Sequence, residues 1–343
     1  MKYENKTLSL VVDMYGCPNR CKHCWIAHMP NGNMSDQEAE ALVEYFKPHF
    51  DVIEFYSWAR EPDYKDNYRE RWEKDKQLSI NIVPQRFELA SFWRLVRDES
   101  YASFLQEVGV PKVQLTFFGL EETTDCFVGR KGAFKELLKA TEILLEHKIA
   151  PRWQVFIYEH NKEEVVSLLH LSQELRLKER CEAFGQEFEF FIHAGSCEGN
   201  NYKLYDQRIC KDSMNPILHS YFSDYENNYS EAELCEMYKE DTSTLKLSMG
   251  DQIVLYILGN GNIHYNFGSI EEIWKIGNWK TDNKEELLEK IVHDDAWAVK
   301  IANSITIKEL IEKYGDKNST RLFVFDDYKM YLLNKHLYYL SEA

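Results

Sequence analysis

Up to Ala194 the chain alternates short apolar runs with amphipathic stretches, and this alternation restricts the fold more than any other feature. Residues 8–13 are rich in Leu and Val and run into Gly16, Pro18 and Asn19, the pattern of a buried strand that ends in a loop. Ser35 and Glu38 form a capping box, with Ala39, Leu42, Val43 and Phe46 at helical spacing behind it. Residues 52–58 read as a second strand, stopped by Glu61-Pro62 because proline cannot continue regular pairing. Residues 63–77 are crowded with charge and lack a strong apolar face, so a solvated helix or loop is expected. A third strand is placed within 78–89 and helix within 92–108. Then come strand 113–118, helix 132–146, strand 152–158, a helix capped by Asn161 that runs to about Leu175, and a sixth strand, 188–193. Six strands alternating with helices predict parallel βαβ units, hence an α/β fold with a partial (β/α)6 TIM-type barrel.

Beyond Ala194 the pattern changes. Residues 202–240 have weak periodicity, while 253–258, Asn260-Gly261 and 263–267 give a hairpin signal, since Asn-Gly suits a tight turn between strands. Helices are expected at 285–292 and 307–313, and strand-like aromatic segments at 321–340. The chain is therefore divided into a barrel domain, 1–200, and a smaller α+β accessory domain, 201–343, which 343 residues are enough to fill. A net charge of -16 disfavours nucleic acid and anionic lipid as partners. No apolar stretch reaches membrane-spanning length and no leader precedes the first strand, so a cytoplasmic protein is expected.

Three of the eight cysteines, Cys17, Cys21 and Cys24, fall within eight residues directly after the first strand. Thiolates so closely spaced can converge on three irons of one cubane cluster and leave the fourth iron open. Zinc is the competing reading, with His28 completing a Cys3His set. Cys126, Cys181, Cys197, Cys210 and Cys235 read as ordinary thiols, although Cys197 follows the sixth strand, where a catalytic or radical-quenching thiol could sit.

The loop from Cys17 to Trp25, with its Cys-x3-Cys-x2-Cys spacing, resembles the signature of radical S-adenosylmethionine (radical SAM) enzymes. The resemblance implies a [4Fe-4S] cluster and S-adenosyl-L-methionine as cofactors, with reductive cleavage giving a 5′-deoxyadenosyl radical that abstracts hydrogen from a substrate. His23 stands where that family has an aromatic residue near the adenine. Ala59-Arg60-Glu61-Pro62 resembles the family's Gly-Gly-Glu-Pro segment, with only Glu61 and Pro62 kept, and implies contacts from Ala59, Glu61 and Pro62 to the methionine amino group. Residues 117–134 resemble the fourth-strand region of the subgroup that includes peptide-modifying members, with Thr124 and Val128 in place of its His and Arg, and Arg130 just beyond Gly129. Thr116 and Gln154 are candidate contacts to the cofactor's ribose or carboxylate.

Residues 259–266 and 276–279 are similar to the hairpin of that subgroup's SPASM accessory domain. No cysteine follows Cys235, so the accessory domain is read as SPASM-like without its cluster and as shaping the substrate cavity. Tyr202, Tyr205, Tyr221, Tyr225 and Trp274 are read as packing residues. The leading expectation is an enzyme acting on a ribosomal peptide, with an electron donor such as flavodoxin or ferredoxin as partner. A small-metabolite substrate, a methyl-transferring outcome and a non-catalytic zinc or cluster module are the alternatives. No catalytic side chain is assigned.

Overall fold

A computed structural model describes residues 3, 5–26, 29–222, 228–267 and 269–342. His28 and Tyr225 lie outside the described residues. The strands are β1 (Thr7–Asp13), β2 (Val52–Tyr56), β3 (Lys112–Phe117), β4 (Ala150–Phe156), β5 (Glu189–His193), β6 (Asn228–Ser230), β7 (Gln252–Leu258), β8 (Asn262–Tyr265), β9 (Lys275–Asn278) and β10 (Leu322–Val324). The fold is mixed α/β. Its parallel strands fall into two sheets rather than one closed wall: β3-β4-β5, and β2-β1-β7-β8-β9 in which β1 is parallel to both neighbours. A short antiparallel pair, β10-β6, makes a third sheet.

Alternation explains how each sheet buries one face. Val113, Leu115 and Phe117 of β3 join Trp153 and Val155 of β4 in a core with Leu137, Ala140 and Leu144 of the helix Ala133–Glu146. Gln114 and Thr116 point the opposite way, and Thr116 lies beside Gln154 in the β3-β4 register. The second sheet packs Leu8, Leu10 and Val12 against Leu42 and Phe46 of the helix Asp36–Phe46 and against Leu287, Leu288 and Ile291 of the helix Lys284–Val292. Each such side chain contributes roughly 1.5–3 kcal/mol of burial.

The expected hairpin forms at β7-β8, turned at Gly261, and the Ser35–Glu38 capping box is present. Four expectations need correction. No third strand forms within 78–89. Ile80 makes one antiparallel bridge to Ile53, and the Glu88 carbonyl accepts from Gln114 N at 2.8 Å, so an irregular segment spans the gap between β2 and β3. Pro84 lacks the donor that a ladder needs, and Asn81 adopts a left-handed φ of 57°.

Residues 63–77 are not merely solvated: the helix Tyr68–Leu78 buries Tyr68, Arg71, Trp72, Asp75 and Leu78. The end of the chain is a three-residue strand followed by the helix Phe325–Glu342, whose Tyr328, Tyr331 and Leu332 pack into the carboxyl-terminal core. Asn161 precedes its helix without capping it; its side chain instead bonds Tyr158 N, Phe118 O and Phe156 O and ties two strand ends together.

Candidate functional site

The carboxyl ends of β1 to β5 open into one cavity of about 500 Å3. The nine residues expected from the sequence to hold the cluster or the cofactor line it: Cys17, Cys21 and Cys24 from the loop after β1, with His23 between them; Ala59, Glu61 and Pro62 after β2; and Thr116 and Gln154 from β3 and β4. Crevices at the carboxyl ends of parallel strands are where α/β folds bind ligands.

The cysteine loop is held from several sides. Asn31 bonds both ways to Cys17, accepting from its N–H at 3.0 Å and donating to its carbonyl at 3.1 Å. Arg20 N and Lys22 N donate to the carbonyls of Val128 and Phe127, at 2.9 and 2.8 Å, so the loop rests on the end of the helix Glu121–Val128. Gly129 permits that approach, because a β-carbon there would lie 2.7 Å from the Arg20 carbonyl oxygen. On the far side Asn200 N donates to the Cys24 carbonyl at 2.9 Å. Asn19 N points at Cys17 Sγ, 3.4 Å away.

Arg60 explains one departure from the family pattern. Its guanidinium makes a bidentate pair with Asp13 at the end of β1, at 3.1 and 2.7 Å, and also donates to the carbonyls of Met29 and Pro30. Where the motif has glycine, this chain ties the β2 turn to both ends of the cysteine loop. Glu61 beside it is enclosed. Its carboxylate accepts from Ser91 Oγ and lies 3.7 Å from Cys17 Sγ, and burial pushes the carboxyl up to about 7. Burial likewise raises the Cys17 and Cys21 thiols, with charge repulsion from Glu61 and from neighbouring cysteines adding to it.

The opposite wall is polar at its centre and aromatic at its edge. Gln154 Oε1 accepts from Gln114 Nε2 at 2.8 Å and from Thr116 Oγ1 at 3.2 Å. The His23 ring sits against Phe118 and Phe156, with centroids 4.5 and 4.6 Å away, and its buried Nδ1 has no partner. Burial drives His23 down to about 3 and His193 to about 4, so both imidazoles are neutral near pH 7. Gly195 N donates to His193 Nδ1 at 2.8 Å. Burial, then the nearby Asp327 charge, raises Glu198 to about 7.

Sequence reasoning missed Gln114, His193, Glu198, Asn19 and the Asp13–Arg60 pair. The same-face alternation of Gln114 with Thr116 was the one available signal for the first. The replaced positions of the fourth-strand region have roles of their own: Thr124 Oγ1 accepts from Phe118 N and donates to Gly119 O, and Val128 lines the cavity. Arg130 is not among the lining residues; it donates to Asn19 Oδ1 at 3.0 Å and pairs with Glu136. Cys197 sits as the ordinary thiol of the main reading, not at the catalytic or quenching place raised beside it. It is 1% exposed, packs into the carboxyl-terminal core and does not line the cavity, although Ser196 and Glu198 on either side of it do. Among the described residues no three His, Cys, Asp or Glu side chains close on a single-ion site.

Fold and site together define an α/β protein with a thiol-lined cavity at the carboxyl ends of its parallel strands. Residues 11–171 match the family model described as the Radical SAM superfamily. The Fe-coproporphyrin III synthase of Methanosarcina barkeri (strain Fusaro / DSM 804) is 23% identical over 182 residues, or 52% of this chain and 42% of that protein. The match thus spans less than half of that relative's length. Among solved structures, native anSMEcpe with bound AdoMet aligns with a TM-score of 0.50 at 15% identity, covering 98% of this chain and 99% of that one. The form with bound AdoMet and Kp18Cys peptide gives the same TM-score, 0.50, identity, 15%, and coverage, 98% and 99%. At that identity the likeness is one of fold. The family model thus matches just under half of the chain, and the solved neighbours add a likeness of fold to it.

Proposed function

We propose that the chain cleaves S-adenosylmethionine reductively at a cluster held by Cys17, Cys21 and Cys24, and that the radical so formed abstracts hydrogen from a ribosomal peptide. The observation that carries this reading is the convergence of those thiols with Glu61, Thr116, Gln154 and His23 on one cavity. The donor set fits the cluster: soft thiol ligands on one loop, a backbone N–H aimed at one sulfur, and a cavity wall left for a further ligand to the metal. When bound, the cluster supplies the electron that breaks the sulfonium bond.

The protein's part is to bind, orient and exclude water. Ala59, Glu61 and Pro62 offer acceptors for the methionine amino group, and the Glu61 carboxylate is the charged one among them. Thr116 and Gln154 present a hydroxyl and an amide to the ribose or carboxylate. His23, a neutral flat ring with a free nitrogen, is placed for the adenine. Phe118 and Phe156 behind it keep water from the reacting atoms.

The two parallel sheets are facing halves of a partial barrel in this reading, and residues 201–343 are a SPASM-like accessory part without cluster cysteines. Cytoplasmic residence and a flavodoxin or ferredoxin donor belong to the same proposal. Among the described residues no helix is long and apolar enough to cross a membrane. The peptide is favoured because a structure sharing the fold over nearly the whole chain holds one beside AdoMet. Mass spectrometry of candidate peptides and metabolites, incubated with reduced enzyme and S-adenosylmethionine, tests this: a mass change in a peptide supports it, and a change confined to small metabolites refutes it.

A further inference from the structure

A second, enclosed pocket of about 20 Å3 lies under the β2 turn, with Trp58, Glu61, Asp63, Arg71, Asp75 and Arg86 among its walls. Four polar atoms of those walls, Trp58 Nε1, Arg71 Nε, Asp75 Oδ1 and Arg86 Nε, are buried without a protein partner. Arg71 Nε and Asp75 Oδ1 are 3.9 Å apart, too far for a direct hydrogen bond. Asp75 is 1% exposed and Arg71 7%, so bulk solvent does not satisfy them. Leaving such groups unpaired is costly, and a pocket holds one water when it offers about 10–15 Å3 and two to four polar partners. Both conditions are met.

We infer that one ordered water molecule occupies this pocket, and that through it Arg71 and Asp75 act as positioning residues for the Trp58–Pro62 turn. The two residues are one turn apart on the helix Tyr68–Leu78. Asp75 Oδ2 accepts from Ser57 N at 3.1 Å and Ser57 Oγ at 2.9 Å, which fixes the residue just before the turn. Arg71 Nη1 donates to the Tyr15 hydroxyl at 3.3 Å and pairs with Asp36, which fixes the chain two residues before Cys17. The water joins these anchors. An anion would meet the carboxylates of Glu61, Asp63 and Asp75 around the same pocket, whereas water both accepts from the N–H groups and donates to Asp75.

The inference rests on the proposed role of the turn in binding the cofactor, and the test separates the two. A high-resolution crystal structure of the cofactor-free protein is expected to show one water within hydrogen-bond reach of Asp75 Oδ1 and Arg71 Nε; an empty pocket overturns the inference. In binding titrations with S-adenosylmethionine on the cluster-loaded protein, Asp75→Leu is expected to raise Kd about tenfold at unchanged iron content, while Asp75→Asn, which keeps an acceptor, stays near wild type. Trp58→Phe removes the indole N–H, together with part of the ring, while keeping an aromatic side chain, and gives a second reading of the same effect should Asp75→Leu fail to fold. Wild-type affinity in both Asp75→Leu and Trp58→Phe overturns the positioning role. Failure of the wild-type protein to bind the cofactor would instead refute the functional reading, and the crystallographic water would still decide the pocket.

Discussion

Arg60 and Asp13 show how a residue that breaks a family pattern can be read from physics. Their side chains are 5% and 4% exposed, so each is the other's charge compensation. Asp13→Asn leaves a buried guanidinium half-paired and is expected to cost about 3–5 kcal/mol, measured as a lowered urea midpoint of the cofactor-free protein. Asp75 gives a pH dependence. Burial lifts its carboxyl from the ordinary 3.8 to about 7, against hydrogen bonds from Ser57 and the Arg71 charge, with Asp63 adding repulsion. A carboxyl raised in the folded state favours the protonated form, so its contribution is complete at low pH and is lost as pH rises through about 7. Asp75→Asn, neutral throughout, should therefore lose less stability than wild type between about pH 4 and pH 8, as followed by denaturation midpoints. An equal loss in both proteins would contradict this. None of this was legible beforehand, because pairing across 47 residues, as between Asp13 and Arg60, leaves no local signature.

At the scale of elements, local signals survived and compensated ones did not. The Ser35–Glu38 capping box and the Asn-Gly turn formed as read, since their partners lie within a few residues. The helix Tyr68–Leu78 was misjudged because its buried face uses Arg71 and Asp75, which pattern reasoning counts as solvated. The site itself was legible to the extent that it sits in contiguous motifs: the cysteine loop and the Glu61-Pro62 turn. Gln114 comes from β3, and His193 and Glu198 from β5 and the loop after it, two remote segments that only the sheet brings together.

The loop after β5 carries a further prediction. Gly199 has φ +53°, and a β-carbon there would fall well inside contact with the Trp25 carbonyl oxygen and 2.6 Å from that of Cys24. Gly199→Ala should push the two loops apart and lower the iron bound after reconstitution by severalfold, by iron assay, while the far-UV circular dichroism stays unchanged. Full iron loading would show that the close approach is dispensable.

For the whole molecule, the seam between β1 and β7 matters most. Seven consecutive residue pairs join them, from Thr7 with Gln252 to Asp13 with Leu258, so the strand that launches the cysteine loop is paired on one side by a segment 245 residues downstream. The sequence shows residues 253–258 as apolar but gives no sign of a parallel partner so remote, because parallel pairing has no turn to mark it. A fragment of residues 1–200 would expose the β7 side of β1 together with Leu8, Leu10 and Val12, and should be recovered as aggregate or unfolded chain, by size exclusion and circular dichroism. The central claim concerns the loop that this seam supports. Anaerobic reconstitution followed by reduction with S-adenosylmethionine tests it directly. The account predicts about four iron and four sulfide per chain and release of 5′-deoxyadenosine, both lost in Cys21→Ala. A protein that binds a single zinc, or whose metal content is unchanged by Cys21→Ala, would contradict it.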